Sequence, residues 1–290
     1  MNSGIPLHIK QLVKQQDDIH LGPIDLELEP NMTYALLGPN SSGKSTLLKC
    51  CMNLMKPASG IIEIYGRSYP QDEHRIKQLI AFAPDPLEGC ELFTLGQMGD
   101  MIAPWYASWE RSHFLRRAEQ FKVPLDKRYE KMSQGERKKV ALTLALSTQA
   151  PVLLLDEPTN GLDINSRNRF KEMLVEDAER IERTVLMTTH AIEDIRQFAD
   201  QILLLKNGRI EGPLEKDRLI QSWRRVWLSA DKLPDLSVIP GVVEYNGYPY
   251  PHLITRNWQE TLDSLNANQI PIVRDQPLSL DELMERLLNE

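Results

Sequence analysis

The run Gly38-Pro39-Asn40-Ser41-Ser42-Gly43-Lys44-Ser45-Thr46 fills every glycine, lysine and hydroxyl position of a nucleotide-phosphate cradle. Such a cradle works only between a strand and a helix, and both flanks comply. Tyr34-Ala35-Leu36-Leu37 reads as a buried parallel strand, and Thr46-Leu47-Leu48-Lys49-Cys50-Cys51 as the helix that leaves the loop. The chain is therefore expected to be α/β, built on a mostly parallel sheet. Gly38 and Gly43 let the backbone curl so that successive N–H groups converge on an anion, and the helix start adds partial positive charge. Lys44 is expected to reach the β- and γ-phosphates of a nucleoside triphosphate, and the Ser45 hydroxyl to hold Mg²⁺.

A length of 290 residues suits one main domain with a small appendage. The 34 basic and 41 acidic side chains give a net charge of −7, which argues against a nucleic-acid partner. Cys50, Cys51 and Cys90 form neither a disulfide framework nor a C-x-x-C pair, so they read as reduced thiols of a cytosolic protein. No window reaches the roughly 18 to 20 apolar residues of a membrane span, and the start, with His8, Lys10 and Lys14, does not read as a signal peptide. Any membrane role is expected to come through a partner.

Short strands are expected at Leu7–Ile9 and Ile24–Leu28, forming a small antiparallel sheet beside the parallel one. Ile61–Tyr65 and Ile80–Ala83 follow as strands, and residues 93–150 switch to helical periodicity, as an inserted lobe would. Val152–Leu155 and Thr184–Met187 are continuous apolar strands separated by a charged helix. Asn207-Gly208 is a hairpin turn. The domain expectation is 1–212 for the nucleotide-binding part and 213–290 for an α+β appendage. In that appendage strands are expected near 226–228, 242–245, 253–255 and 270–273, with helices near 259–265 and 279–288.

Asp156-Glu157 closes the apolar strand Val152–Leu155 and supplies what the cradle lacks. Asp156 is placed to hold Mg²⁺ and Glu157, on the alternate face, to act as general base on a water. Ser133 and Glu136 form an S-x-x-E capping box ahead of a long helical pattern, which by itself signals an ordinary helix start. A helix tip bearing Ser133, Gln134, Gly135 and Glu136 is also an anion-binding device.

Taken together, these residues resemble the ATP-binding cassette (ABC) family over about residues 5–212. Met132-Ser133-Gln134-Gly135-Glu136 stands where that family carries its Leu-Ser-Gly-Gly-Gln signature, differing at Met132, Gln134 and Glu136. The resemblance implies an ATPase with ATP and Mg²⁺ as ligands. It gives His190 as the residue contacting the γ-phosphate and Asp163, in Asn160-Gly161-Leu162-Asp163, as a residue facing a second cassette. It also implies head-to-tail pairing of two cassettes, each cradle opposite the other's signature, as a homodimer or heterodimer. A separate membrane permease would place the chain on the inner face of the cell membrane.

The pattern is broken at two places. Asp85 stands where the family has a metal-linked glutamine, and is expected to bind Mg²⁺ in its stead. Gln15 and Gln16 occupy the region of the family's adenine-stacking aromatic, with His20 as a weak substitute. Trp105-Tyr106-Ala107-Ser108-Trp109-Glu110 is similar to the bacterial exporter branch whose permease is a separate polypeptide of about six helices, as is the small tail, which is expected to regulate or stabilise a dimer. At least one of these tryptophans is expected to be core. A soluble ABC ATPase unrelated to transport and a nucleotide-sensing module with little turnover are the alternative readings.

Overall fold

Unbroken apolar runs suit strands covered on both faces, and Tyr34–Leu37, Val152–Leu155 and Val185–Met187 are all buried at the centre of a parallel sheet. The computed structural model describes residues 4–16, 19–229, 239–247 and 250–289. Two compact units are present, Met1–Pro213 and Leu214–Glu290.

The first unit begins with β1 (Leu7–Gln16), β2 (Ile19–Leu28), β3 (Thr33–Leu37), α1 (Lys44–Cys51), β4 (Ser59–Ile64), β5 (Arg67–Ser68), α2 (Glu73–Leu79) and β6 (Ile80–Ala83). A helical stretch follows, with α3 (Leu95–Ile102), α4 (Arg111–Phe121) and α5 (Gln134–Ser147). The chain then returns to the sheet through β7 (Val152–Asp156), α6 (Ile164–Arg180), β8 (Thr184–Thr188), α7 (Ile192–Phe198), β9 (Gln201–Lys206) and β10 (Arg209–Glu215). Six strands lie in the order β10-β9-β3-β8-β7-β6, and the pairs from β9 through β6 are parallel. A second sheet, β2-β1-β4-β5, is antiparallel. The unit thus has a mostly parallel core, a small antiparallel sheet and a helical stretch between β6 and β7.

Helix α1 has 8 residues. Isolated helices below about 12 residues are marginal in water, so its stability must come from packing. Leu47, Leu48, Cys50 and Cys51 of α1 share one buried cluster with Leu7 and Ile9 of the antiparallel sheet and with Leu36, Leu154 and Leu186 of the parallel one. A buried leucine contributes about 1.5–3 kcal/mol, so these contacts outweigh the helix's weak intrinsic preference. They fix the helix start, and with it the cradle, to the end of β3. Burial also pushes the Cys50 and Cys51 thiols up, leaving them as neutral core groups.

Strand β1 continues to Gln16, well beyond the expected Leu7–Ile9, and β2 starts five residues earlier than the expected Ile24. Register shifts at Ile9/Leu12 and Leu12/Lys14, with Gln11 at φ 48°, explain the difference. A bulge puts neighbouring residues out of alternation and erases the two-residue period by which strands are recognised.

The second unit comprises α8 (Lys216–Ser222), β11 (Arg224–Leu228), β12 (Val242–Asn246), β13 (His252–Thr255), α9 (Trp258–Ala267), β14 (Ile272–Pro277) and α10 (Leu280–Asn289). Its antiparallel sheet runs β12-β13-β11-β14 over a core of Val226, Leu228, Ile239, Leu253, Leu265 and Ile270. The last strand begins at Ile272, two residues after the expected Ile270. The Ile270 N–H is spent on the Leu265 carbonyl at 2.9 Å, and Gln269 takes φ 52°, so both residues close α9 instead.

Candidate nucleotide site

The cradle is shaped by close packing against two strands. A Cβ on Gly38 would lie 2.6 Å from the Leu205 carbonyl oxygen, and one on Gly43, at φ 101°, would lie 2.5 Å from Leu21 Cδ2. Neither position accommodates a side chain without displacement. Pro39, Asn40 and Ser41 form the exposed outer turn, Ser41 at φ 64°. Ser42 Oγ is buried with no protein partner, an oxygen aimed into a loop whose chemistry suits an anion. Lys44 is buried and donates to the Gly38 and Pro39 carbonyls at 2.8 and 3.0 Å. Burial pushes its ammonium below the usual lysine range, while the Glu157 and Asp156 carboxylates pull the other way. Thr46 is buried in the first turn of α1.

Strand register brings the remaining groups alongside. Thr188 pairs with Asp156 on one side and with Leu36 on the other, so the carboxyl ends of β3, β8 and β7 stand in a row. Asp156 Oδ1 accepts from Ser45 Oγ at 3.0 Å and from Thr188 Oγ1 at 2.7 Å. The Glu157 N–H donates to the Thr188 carbonyl and hydroxyl oxygens at 3.2 and 3.0 Å, holding Glu157 at φ 47°. From there Glu157 Oε2 lies 2.8 Å from His190 Nδ1, and the imidazole is largely exposed. Lys44, Ser45, Asp156, Glu157 and His190 thus share one locus. Ser45 and Asp156 offer hard oxygen donors that fit Mg²⁺, which prefers few protein ligands and completes its shell with water and phosphate. Among the described residues there is no cluster of three or more His, Cys, Asp or Glu side chains able to hold a metal ion.

A second locus forms at the tip of α5. Ser133 Oγ accepts from the Glu136 N–H at 3.2 Å, and Glu136 Oε2 accepts from the Ser133 N–H at 2.8 Å, closing the capping box. Hydrogen bonds from Lys127 and Ser133 hold the Glu136 carboxyl down to about 2. A Cβ on Gly135 would lie 2.9 Å from the Gly161 carbonyl oxygen, so the tip abuts the 160–163 turn beside Gln134. Asp163 caps α6 through the Ser166 N–H at 2.9 Å, with Lys139 Nζ at 3.4 Å. Ser166 and then Lys139 hold its carboxyl at about 2.

Asp85 is engaged with Lys138. Its Oδ2 lies 2.9 Å from Lys138 Nζ, which also donates to the Asp156 carbonyl oxygen at 3.0 Å. Gln15 and His20 face each other across the β1–β2 pair, both exposed, and the Gln16 side chain lies outside the described residues. Trp105 is 58% exposed, whereas Trp109 packs on Phe114 with ring centroids 5.3 Å apart. Trp105 lines a groove of about 740 Å³ with Phe82, Pro84, Leu87, Ala141 and Leu144.

Three groups in the site were invisible to motif reading. Thr188 sits one residue ahead of Thr189-His190 inside an apolar strand, and Lys138 lies among helix-surface charges. Asp194, buried, accepts from Thr159 at 2.7 and 2.6 Å and from Thr189 at 2.7 Å, tying the turns after β7 and β8 together. Each bridges segments distant in sequence, and only the Thr-Thr-His run after β8 offered a signal.

Residues 21–160 match the protein family described as ABC transporter. The chain is 24% identical over 282 residues to the ABC transporter ATP-binding protein YtrB of Bacillus subtilis (strain 168), a match spanning 96% of each. It is 27% identical over 215 residues to the ABC transporter ATP-binding protein NatA of the same organism, covering 71% of this chain and 85% of NatA. Among solved structures, an ATP binding subunit of an ABC transporter superposes with a TM-score of 0.66 at 25% identity, over 74% of this chain and 92% of that one. The dimeric structure of MJ0796, a bacterial ABC transporter cassette, shares the fold with a TM-score of 0.65 at 24% identity, over 72% and 98%.

Proposed function

We propose that this chain, an ATPase subunit of the ABC transporter type, works as one half of a head-to-tail pair whose closure on ATP drives a separate membrane permease in export. The observation that carries the proposal is the single carboxylate oxygen of Asp156 shared by Ser45 and Thr188, with Glu157 held against His190 one residue on.

In this reading Gly38–Thr46 hold the triphosphate by backbone N–H groups, and Lys44 turns from the Gly38 and Pro39 carbonyls to the phosphates. Ser45 and Asp156 hold Mg²⁺, which supplies charge neutralisation of the phosphate oxygens when bound. Glu157 takes a proton from the attacking water, and His190 orients the Glu157 carboxylate and contacts the γ-phosphate. One chain offers one cradle and one tip of Ser133, Gln134, Gly135 and Glu136. Completing a site therefore takes a second copy, whose tip and Asp163 face the first chain's nucleotide. Ile164, 80% exposed beside Asp163, is an apolar group suited to that contact.

Among the described residues no helix is long and apolar enough to cross a membrane, and this reading assigns the membrane part to the permease as partner. The groove beside Trp105 fits that partner: its walls are mainly apolar, and Glu73, His74 and Lys77 stand among them. We place the chain at the inner membrane face through this contact, with residues 1–212 as the ATPase domain and 213–290 as a regulatory or dimer-stabilising appendage. The similarity to YtrB along nearly the whole length supports including that appendage in the assignment. Co-purification from native membranes tests the proposal. A multi-span protein retained stoichiometrically supports it, whereas retention of ribosomes or DNA instead would establish a soluble role.

A further inference from the structure

Asp85 and Lys138 are charged side chains at the site that the hydrolytic scheme leaves without a task. Lys138 is 4% exposed, and burying an ammonium is costly unless it is paired and hydrogen-bonded. Both conditions are met by two contacts only a few residues from the reacting carboxylates. Its Nζ lies 2.9 Å from Asp85 Oδ2 and donates to the Asp156 carbonyl oxygen at 3.0 Å. Asp85 in turn has one carboxylate oxygen committed to a cation, and a carboxylate neutralised in this way is a poor competitor for a second cation.

The pair also has a mechanical setting. Pro84 and Leu87, on either side of Asp85, line the apolar groove. So do Ala141, Leu144, Ala145 and Thr148, which follow Lys138 along α5 and just beyond its end. Lys138 stands where both walls meet the end of β7, the strand that carries Asp156 and Glu157.

We infer that Lys138 is a positioning residue that ties the groove walls to the Asp156–Glu157 turn, and that Asp85 is its counter-charge and not a metal ligand. The inference rests on the ATPase reading of the site and replaces one element of the expectation drawn from sequence. A neutral ion pair here does what a neutral amide would do, adding no net negative charge near the phosphates. An occupant of the groove that shifts Pro84 and Leu87 against α5 loads the Asp85–Lys138 contact, and through it the Asp156 carbonyl.

The test is a double-mutant cycle on the full chain: Asp85→Asn, Lys138→Gln and the two combined. Turnover, half-saturating Mg²⁺ and Mg²⁺-free affinity for a fluorescent ATP analogue are read for each. Lys138→Gln alone leaves an uncompensated carboxylate beside the triphosphate, so kcat and Mg²⁺-free affinity should each fall about tenfold. Adding Asp85→Asn should return both to within about threefold of wild type, and Asp85→Asn alone should leave half-saturating Mg²⁺ unchanged within about threefold. Additive losses in the double variant, or a rise of about tenfold in half-saturating Mg²⁺ on Asp85→Asn, would overturn the assignment. If circular dichroism shows Lys138→Gln unfolded, the Mg²⁺ titration of Asp85→Asn decides alone. A wild type that binds the analogue but never turns ATP over would defeat the ATPase reading itself, which additive losses with intact wild-type turnover would not.

Discussion

His190 Nδ1 lies 2.8 Å from Glu157 Oε2, although the two residues follow different strands, β8 and β7. The contact exists because Asp156 and Thr188 are register partners, so the residues that follow the two strands emerge side by side. In the proposed scheme Glu157 is the proton acceptor of this arrangement. Glu157→Gln should lower kcat by about 10²–10⁴ while leaving nucleotide affinity within a few-fold, and His190→Ala should lower kcat by about 10² or more. Steady-state ATPase assays with parallel binding measurements check both; equal turnover of wild type and Glu157→Gln would remove Glu157 from the chemistry.

Gly43 is constrained twice, by its φ of 101° and by Leu21 at 2.5 Å from the site of any Cβ. Gly43→Ala should therefore cost about 1–3 kcal/mol of stability and weaken ATP binding. Combining it with Leu21→Ala should recover only the clash component, since the backbone strain stays. Denaturant unfolding of the single and double variants separates the two.

The capping-box carboxylate gives a pH signature. Glu136 is held at about 2 against an ordinary 4.5, chiefly by its Lys127 hydrogen bond. A group depressed on folding stabilises the fold above its unfolded value, and that contribution is lost as pH falls through the folded one. The stability difference between wild type and Glu136→Gln should hence be steady above about 4.5 and shrink progressively as pH falls from there through about 2. Solvent screening at this partly exposed pair limits the difference to about 1 kcal/mol, measurable by urea titration at a series of pH values.

Trp105 is the exposed aromatic of the groove. Trp105→Ala should change the stability of the isolated chain by no more than about 0.5 kcal/mol. If the proposed permease docks in this groove, the same change should cost about 2 kcal/mol or more in affinity for it, as loss of an aromatic anchor does. Quantitative pull-down with the permease in detergent reads the second number.

Much of this architecture was legible because local chemistry and global fold agree. The cradle, the strand into Asp156-Glu157 and the box at Ser133 each pair a turn or cap with an apolar period, and each stands where the spacing implied. Misreadings arose where geometry departs from period. The bulges around Gln11 hid most of β1, and the positive φ at Gln269 delayed β14. At the site, the long-range hydrogen bonds of Thr188, Lys138 and Asp194 were invisible for a different reason. A hydroxyl in a strand or a lysine on a helix carries no mark of the partner that folding brings to it.

The central claim is that two chains clasp a shared triphosphate, one giving its cradle and the other its Ser133 helix tip. Light scattering on the Glu157→Gln chain at saturating Mg-ATP measures it most directly. The account predicts that the 33.3 kDa chain doubles in mass with nucleotide and returns to single mass when nucleotide is removed. A mass that stays at one chain under saturating Mg-ATP, with nucleotide demonstrably bound, would contradict it.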